Sequence, residues 1–250
     1  KNGLRKNLRW ELCLLLLNPL KGCQINWNDY LSFVMNRIFK DPMSGLIHVV
    51  GAILSFIGLI LLILEASDPF DAWKIVSFSI FGTSMFLLYI ASTLYHWIPF
   101  SGKIESYLRR FDHMMIYLLI ASTYTPICLI PLRGPWGWSL FGTIWGLAIF
   151  GMLWKLFQFK FTSWFSTVYY VFMGWLAVIA IWPLILNLET GALVWLVMGG
   201  LFYSGGVIFF LIDKDESPRK GFGYHEIWHV FVLAGSASHY WVMYHYIVPY

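Results

Sequence analysis

Apolar side chains in this chain fall in long runs, and the polar ones collect in short breaks between them. A bilayer core of about 30 Å requires roughly 20 apolar residues of helix. Seven stretches qualify, approximately Leu46 to Leu64, Ile75 to Trp97, Phe111 to Leu132, Trp138 to Trp154, Phe165 to Leu186, Leu193 to Ile212 and His225 to Ile247. The breaks carry turn formers: Ser67-Asp68-Pro69, Pro99-Phe100-Ser101-Gly102, Arg133-Gly134-Pro135, Asn187-Leu188-Glu189-Thr190-Gly191 and, longest, Asp213 to Tyr224. The pattern predicts an all-α membrane protein, a bundle of seven transmembrane helices, with no second globular domain after residue 45.

Residues 1–34 fit this pattern poorly. Their apolar run, Leu12 to Leu17, is too short for a span and makes an unconvincing signal peptide. Two expectations stand for this segment, an interfacial helix or a non-native extension ahead of a start at Met35, and the second is favoured. The seven-helix domain is then 35–250.

Composition agrees with the pattern. The chain is 59% hydrophobic and 12% charged, whereas a globular protein is about 45–50% apolar and about 25% charged. That excludes a cytosolic enzyme. Cys13, Cys23 and Cys128 form neither a CxxC motif nor an even set, so no disulfide scaffold or thiolate metal site is implied.

The net charge of +4 raises the question of nucleic acid, and the placement of the charges answers it. Taking alternate sides of the seven spans, 15 of the 17 Lys and Arg residues lie on one face, and only Lys74 and Arg133 lie on the other. The positive-inside rule makes the amino terminus cytoplasmic and the carboxyl terminus outside. The charge is therefore topological; membrane lipids are the expected partners, and nucleic acid is not.

Ionisable groups within spans are costly and mark function by default. The topology brings His96, Asp112, His225 and His229, on three helices, to the same cytoplasmic depth. His225 and His229 are four residues apart and share a helical face, as do Ser92 and His96. Three neutral imidazoles with an open fourth position make the pattern of a catalytic zinc, whose water is acidified to a pKa of about 7. Asp112 is the carboxylate at the right depth to take that proton. Each residue has a plainer explanation: Asp112 can complement a helix dipole, His96 can be an interfacial imidazole beside Pro99, and the histidine pair can be coincidence. Their convergence at one depth favours the metal site. His48 lies at the same end without a partner at metal spacing, so it is expected to stand behind the ligands. His113 points about 100° away from Asp112 and is expected to pack, whereas His239, roughly 15 Å beyond His229, is expected to bond a neighbouring helix.

His225-Glu226-Ile227-Trp228-His229 also matches H-E-x-x-H, the metalloprotease pattern with glutamate as base. Its longer form fails, with Val232 and Gly235 where a glycine and a third histidine belong.

Ala91-Ser92-Thr93-Leu94-Tyr95-His96, Phe111-Asp112-His113, Tyr117 to Pro126, and His225-x-x-Trp228-His229 with Gly235 and His239 together resemble the haemolysin III proteins. These belong with the progestin and adipoQ receptor family, and the likeness covers about Met35 to Tyr250. The resemblance implies a seven-helix bundle with a zinc near the inner leaflet, ligated by His96, His225 and His229. It further implies that Asp112 positions or deprotonates the zinc water and that Ser92 hydrogen bonds in the site. Receptor-type members hydrolyse ceramide-like amides, and bacterial members carry the haemolysin label. The short chain resembles the bacterial branch, which implies a multi-pass protein of the bacterial inner membrane. Glu226 falls on an unspecified position of the family's H-x-x-x-H, which makes its protease match accidental. Three functions follow, in order: a zinc-dependent lipid amide hydrolase, a membrane-permeabilising or homeostatic protein with structural zinc, and an intramembrane metalloprotease.

Overall fold

The seven long apolar runs are helical over nearly all of their length in the computed structural model, which describes residues 39–157, 163–213 and 222–250. The expectation for residues 1–34 lies outside the described residues. The elements are α1 (Pro42–Ser67), α2 (Ala72–Trp97), α3 (Lys103–Leu129), α4 (Pro135–Phe157), α5 (Ser163–Trp175), a 3₁₀ segment (Leu176–Ala180), α6 (Ile181–Asn187), α7 (Thr190–Ile212) and α8 (Tyr224–Val242), which ends in a π-helical turn (Met243–Ile247). Proline at the start of α1 suits a position whose N–H has no helical acceptor. The Asp71 side chain caps α2 by accepting from the backbone N–H groups of Trp73 and Lys74. Gly102, at φ 66°, makes the left-handed turn into α3 that a side chain would disfavour.

Among the described residues, five helical stretches are long and apolar enough to cross a membrane: Pro42–Ser67, Ala72–Trp97, Pro135–Phe157, Trp164–Asn187 and Thr190–Ile212. The two remaining long helices, α3 and α8, are the ones diluted by polar groups, Arg109, Arg110, Asp112 and His113 on α3 and His225, Glu226, His229 and His239 on α8. Consecutive helices α1 to α4 pack in sequence, α7 packs on α8, and α8 returns to α1.

Polar and apolar residues are distributed inside out relative to a soluble bundle. Ser44, His48, Ser77, Ser92, His96, Asp112 and Glu226 are buried, while Ile53, Leu54, Phe56 and Ile57 on one stretch of α1 and Ile179, Trp182 and Leu186 around α6 are exposed. Apolar exposure on this scale suits a lipid surround. The small residues of α7 serve close packing: a side chain at Gly199 would strike the His239 ring, and one at Gly206 would strike Phe231 and Trp228.

The break between α5 and α6 frees backbone groups that hydrocarbon cannot satisfy. Tyr124 of α3 resolves it. Its hydroxyl donates to the carbonyls of Met173 and Gly174, at 2.9 and 2.8 Å, and accepts from the Ala177 N–H at 3.0 Å.

Candidate metal centre

Three helix ends, the starts of α1 and α8 and the end of α2, meet at one end of the bundle. The backbone just before α1 pairs with the last turn of α2, Asp41 N–H donating to the His96 carbonyl at 2.8 Å and Lys40 N–H to that of Trp97 at 3.2 Å. These bonds use carbonyls that a helix end leaves without partners. They also set the Asp41 side chain beside the His96 ring. At the start of α8, the Glu226 carboxylate accepts from its own N-cap, the Gly223 N–H, at 2.8 Å. It also accepts from the Ser44 hydroxyl of α1 at 2.7 Å. This second bond ties α8 to α1 and brings the first turns of the two helices together. Glu226 is thereby held in a structural contact, away from the role that H-E-x-x-H would give it.

Four imidazoles converge there. Ring centroids lie 4.9 Å apart for His96 and His229, 4.5 Å for His225 and His229, 5.2 Å for His96 and His225, and 4.1 Å for His48 and His229. The three residues expected from the sequence are together, as is His48. His48, His96 and His229 form a trio with one ligand atom of each within 4.8 Å of the others. His225 stands beside it.

Carboxylates back two of these rings. Asp41 Oδ2 lies 3.1 Å from His96 Nδ1, and Asp213 Oδ2 lies 3.0 Å from His225 Nδ1. With Nδ1–H donating to the carboxylate, Nε2 of each ring keeps its lone pair for a metal, the arrangement that orients metal-ligating histidines. Burial pushes the Asp41 carboxyl up, but the His96 hydrogen bond and the neighbouring positive charges, Lys40 included, outweigh it and leave its pKa lowered, so Asp41 is an anion at neutral pH. Burial pulls the Lys40 ammonium down, and its 2.6 Å contact with Glu105 and the charges around it more than reverse that.

The donor set fits a metal. Both nitrogens of His48 and Nδ1 of His229 are buried without a hydrogen-bond partner. Orphaned polar atoms in a native core call for an explanation, and each costs about 1–3 kcal/mol unless something satisfies it. Imidazole nitrogens suit zinc and several other divalent metals alike.

A cavity of about 200 Å³ opens beside the cluster. His48, Ser92, Asp112 and His229 line one end together with Arg109 and Lys155, and Leu119, Ile120, Val171, Val207 and Val232 line the stretch running to His239. Asp112 is 7% exposed and lies within electrostatic reach of His96 and beside the Ser92 hydroxyl. Ser92 and Asp112 thus share a wall with His48 and His229. His113 lines the same cavity, and its backbone carbonyl accepts from Tyr170 at 3.1 Å. His239 keeps the packing role expected of it, with Nε2 3.3 Å from the Leu196 carbonyl.

The family model described as haemolysin-III related matches residues 36–240. The chain belongs to that family. It is 45% identical over 216 residues to the hemolysin-3 of Bacillus cereus, covering 86% of this chain and 95% of that one. It is 41% identical to the hemolysin-3 homolog of Bacillus subtilis strain 168, covering 86% and 97%. The human monocyte to macrophage differentiation factor is a more distant relative, 28% identical over 71% of this chain and 73% of its own. No solved structure matches the chain. Family membership and the five apolar helices make this haemolysin-III related chain a multi-pass membrane protein.

The sequence placed His48 behind the ligands, and the structure puts it among the rings. Its partners His96 and His229 lie far along the chain, so no spacing could mark the contact; the available signal was its depth at the cytoplasmic end of the first span. Asp41 and Asp213 were likewise missed as partners of the histidines. Both lie in connections, one turn or less from a helix end.

Proposed function

We propose that this haemolysin-III related protein is a zinc-dependent hydrolase of a lipid amide, ceramide-like in class, working from within a seven-span bundle whose amino terminus is cytoplasmic. The observation that carries the proposal is the cavity joining the imidazole cluster, Asp112 and Ser92 to an apolar passage. From His229 to His239 that passage follows about 15 Å of α8, a shape suited to a lipid chain whose polar group sits at the histidines. The ligand set His96, His225 and His229, implied by the family resemblance, is supported by ring centroids 4.5, 4.9 and 5.2 Å apart.

A zinc ion bound there supplies a Lewis acid and brings the pKa of water toward neutrality. Asp112 accepts the proton of the attacking water and returns it to the amide nitrogen, so that the C–N bond breaks and the amine leaves neutral. The Ser92 hydroxyl donates to the oxygen on which negative charge develops, and the apolar walls hold the acyl chain and keep bulk water out. Asp112→Asn should leave metal content unchanged and lower turnover of a ceramide analogue by about 10²–10⁴-fold, the usual worth of a positioned general base. Unchanged turnover would reject the mechanism.

A second reading draws on the name of the Bacillus cereus relative, hemolysin-3. Here the protein permeabilises or adjusts bilayers, and the metal only holds α1, α2 and α8 together. Leakage from dye-loaded vesicles that persists in His96→Ala would favour it. Absence of leakage at every protein density would dismiss it. The metalloprotease reading loses its base, because Glu226 is engaged by Ser44 and Gly223.

A further inference from the structure

His48 differs from His96 and His225 in two respects, which His229 shares only in part. His96 and His225 each rest on a carboxylate, and no hydrogen bond holds either nitrogen of His48, which is 2% exposed. His48 and His229 also line the cavity, whereas His96 and His225 do not. Of the two rings on the passage, His48 is the one with both nitrogens unbonded, whereas His229, unbonded at Nδ1, touches the other three rings. Its distance to His229, 4.1 Å between centroids, is the shortest in the cluster.

We propose that His48 is a fourth, displaceable ligand of the metal, closing the coordination sphere on the cavity side until water or a substrate oxygen takes its place. The inference rests on the metal centre of the preceding section and adds to it a ligand outside the set His96, His225 and His229. Nitrogens about 2.0–2.1 Å from a tetrahedral zinc stand a little over 3 Å apart. The trio's ligand atoms, within 4.8 Å of one another, need only modest closure to reach that spacing. Coordination would satisfy one of the two orphaned nitrogens of His48, and the absence of an anchoring carboxylate leaves that bond weaker than those of His96 and His225.

The test uses the full chain purified in nanodiscs and loaded with Co²⁺. X-ray absorption counts the imidazoles on the metal, and chelator competition gives the affinity. Wild type should show four imidazoles. His48→Ala and the bulkier His48→Gln should keep metal with three imidazoles and one oxygen ligand, binding at least about 10–100-fold more weakly, the loss typical when a metal site is deprived of one supporting group. Three imidazoles in wild type would overturn the inference whatever the variants do, even should they fail to fold. Equal counts and affinities in wild type and folded variants would overturn it too, leaving the hydrolase reading intact. A wild type that binds no metal would remove both.

Discussion

The Ser44 hydroxyl is fully buried and donates to a carboxylate that is 2% exposed, so its removal has a calculable cost. In Ser44→Ala, Oε1 of Glu226 loses its donor in a site that water does not reach. Hydrogen bonds to charged groups contribute about 1.5–3 kcal/mol, and an orphaned buried acceptor costs about 1–3 kcal/mol. Polar pairs measured within membranes run lower, averaging about 0.6 and reaching about 1.7 kcal/mol. About 1.5–2 kcal/mol is therefore expected, which for a chain of this size is a drop of roughly 3–8 °C in the apparent melting temperature. Glu226→Gln should cost a similar amount, because its single carbonyl oxygen cannot serve both Ser44 and the Gly223 N–H as two carboxylate oxygens do. Thermal melts of the two single variants and the double variant in one detergent measure the coupling, which should exceed about 0.5 kcal/mol because the two side chains share a bond. A melting temperature unchanged in Ser44→Ala would refute the reasoning. So would Glu226→Gln that keeps full stability yet loses hydrolytic turnover, since that would return Glu226 to the role of a base.

Three further outcomes follow from the architecture. Tyr124→Phe leaves the Ala177 N–H and the carbonyls of Met173 and Gly174 without their partner, so it should destabilise by about 1–3 kcal/mol, read by thermal melting. Gly137→Ala drives a methyl group against the backbone carbonyl oxygens of Cys128 and Leu132; unlike a side chain, that backbone cannot swing aside, and a loss of about 1–3 kcal/mol is expected in the same assay. Alkaline phosphatase fused after Tyr250 should be active and a fluorescent protein fused there dark if the proposed seven-span bundle carries the carboxyl terminus outside; the opposite pair of signals would disprove that orientation.

The helices were legible because lipid demands unbroken apolar runs, and the bounds agree closely: Ile75 to Trp97 was expected and Ala72–Trp97 is found. The third helix was underestimated, beginning at Lys103 and not Phe111, because its first two turns carry Glu105, Arg109 and Arg110 and lack the apolar run that marks the others. The division of the fifth stretch at Leu176–Ala180 is marked locally only by Pro183, which has no N–H for the carbonyl one turn back. It depends on a tyrosine of α3 that satisfies the freed backbone, which is a tertiary fact. The same contrast holds at the candidate site. His225 and His229 share a helical face that spacing reveals, and charge placement adds His96 and Asp112 by depth. His48 needed the return of α8 onto α1, secured by the bond between Ser44 and Glu226, before its contact with His229 existed.

The most direct test of the account is the metal content of the purified wild-type protein beside that of His229→Ala, the variant lacking the ring in contact with the other three. One equivalent of zinc in wild type and almost none in a folded His229→Ala is the predicted result. No bound metal in wild type, or the same amount in both proteins, would contradict it.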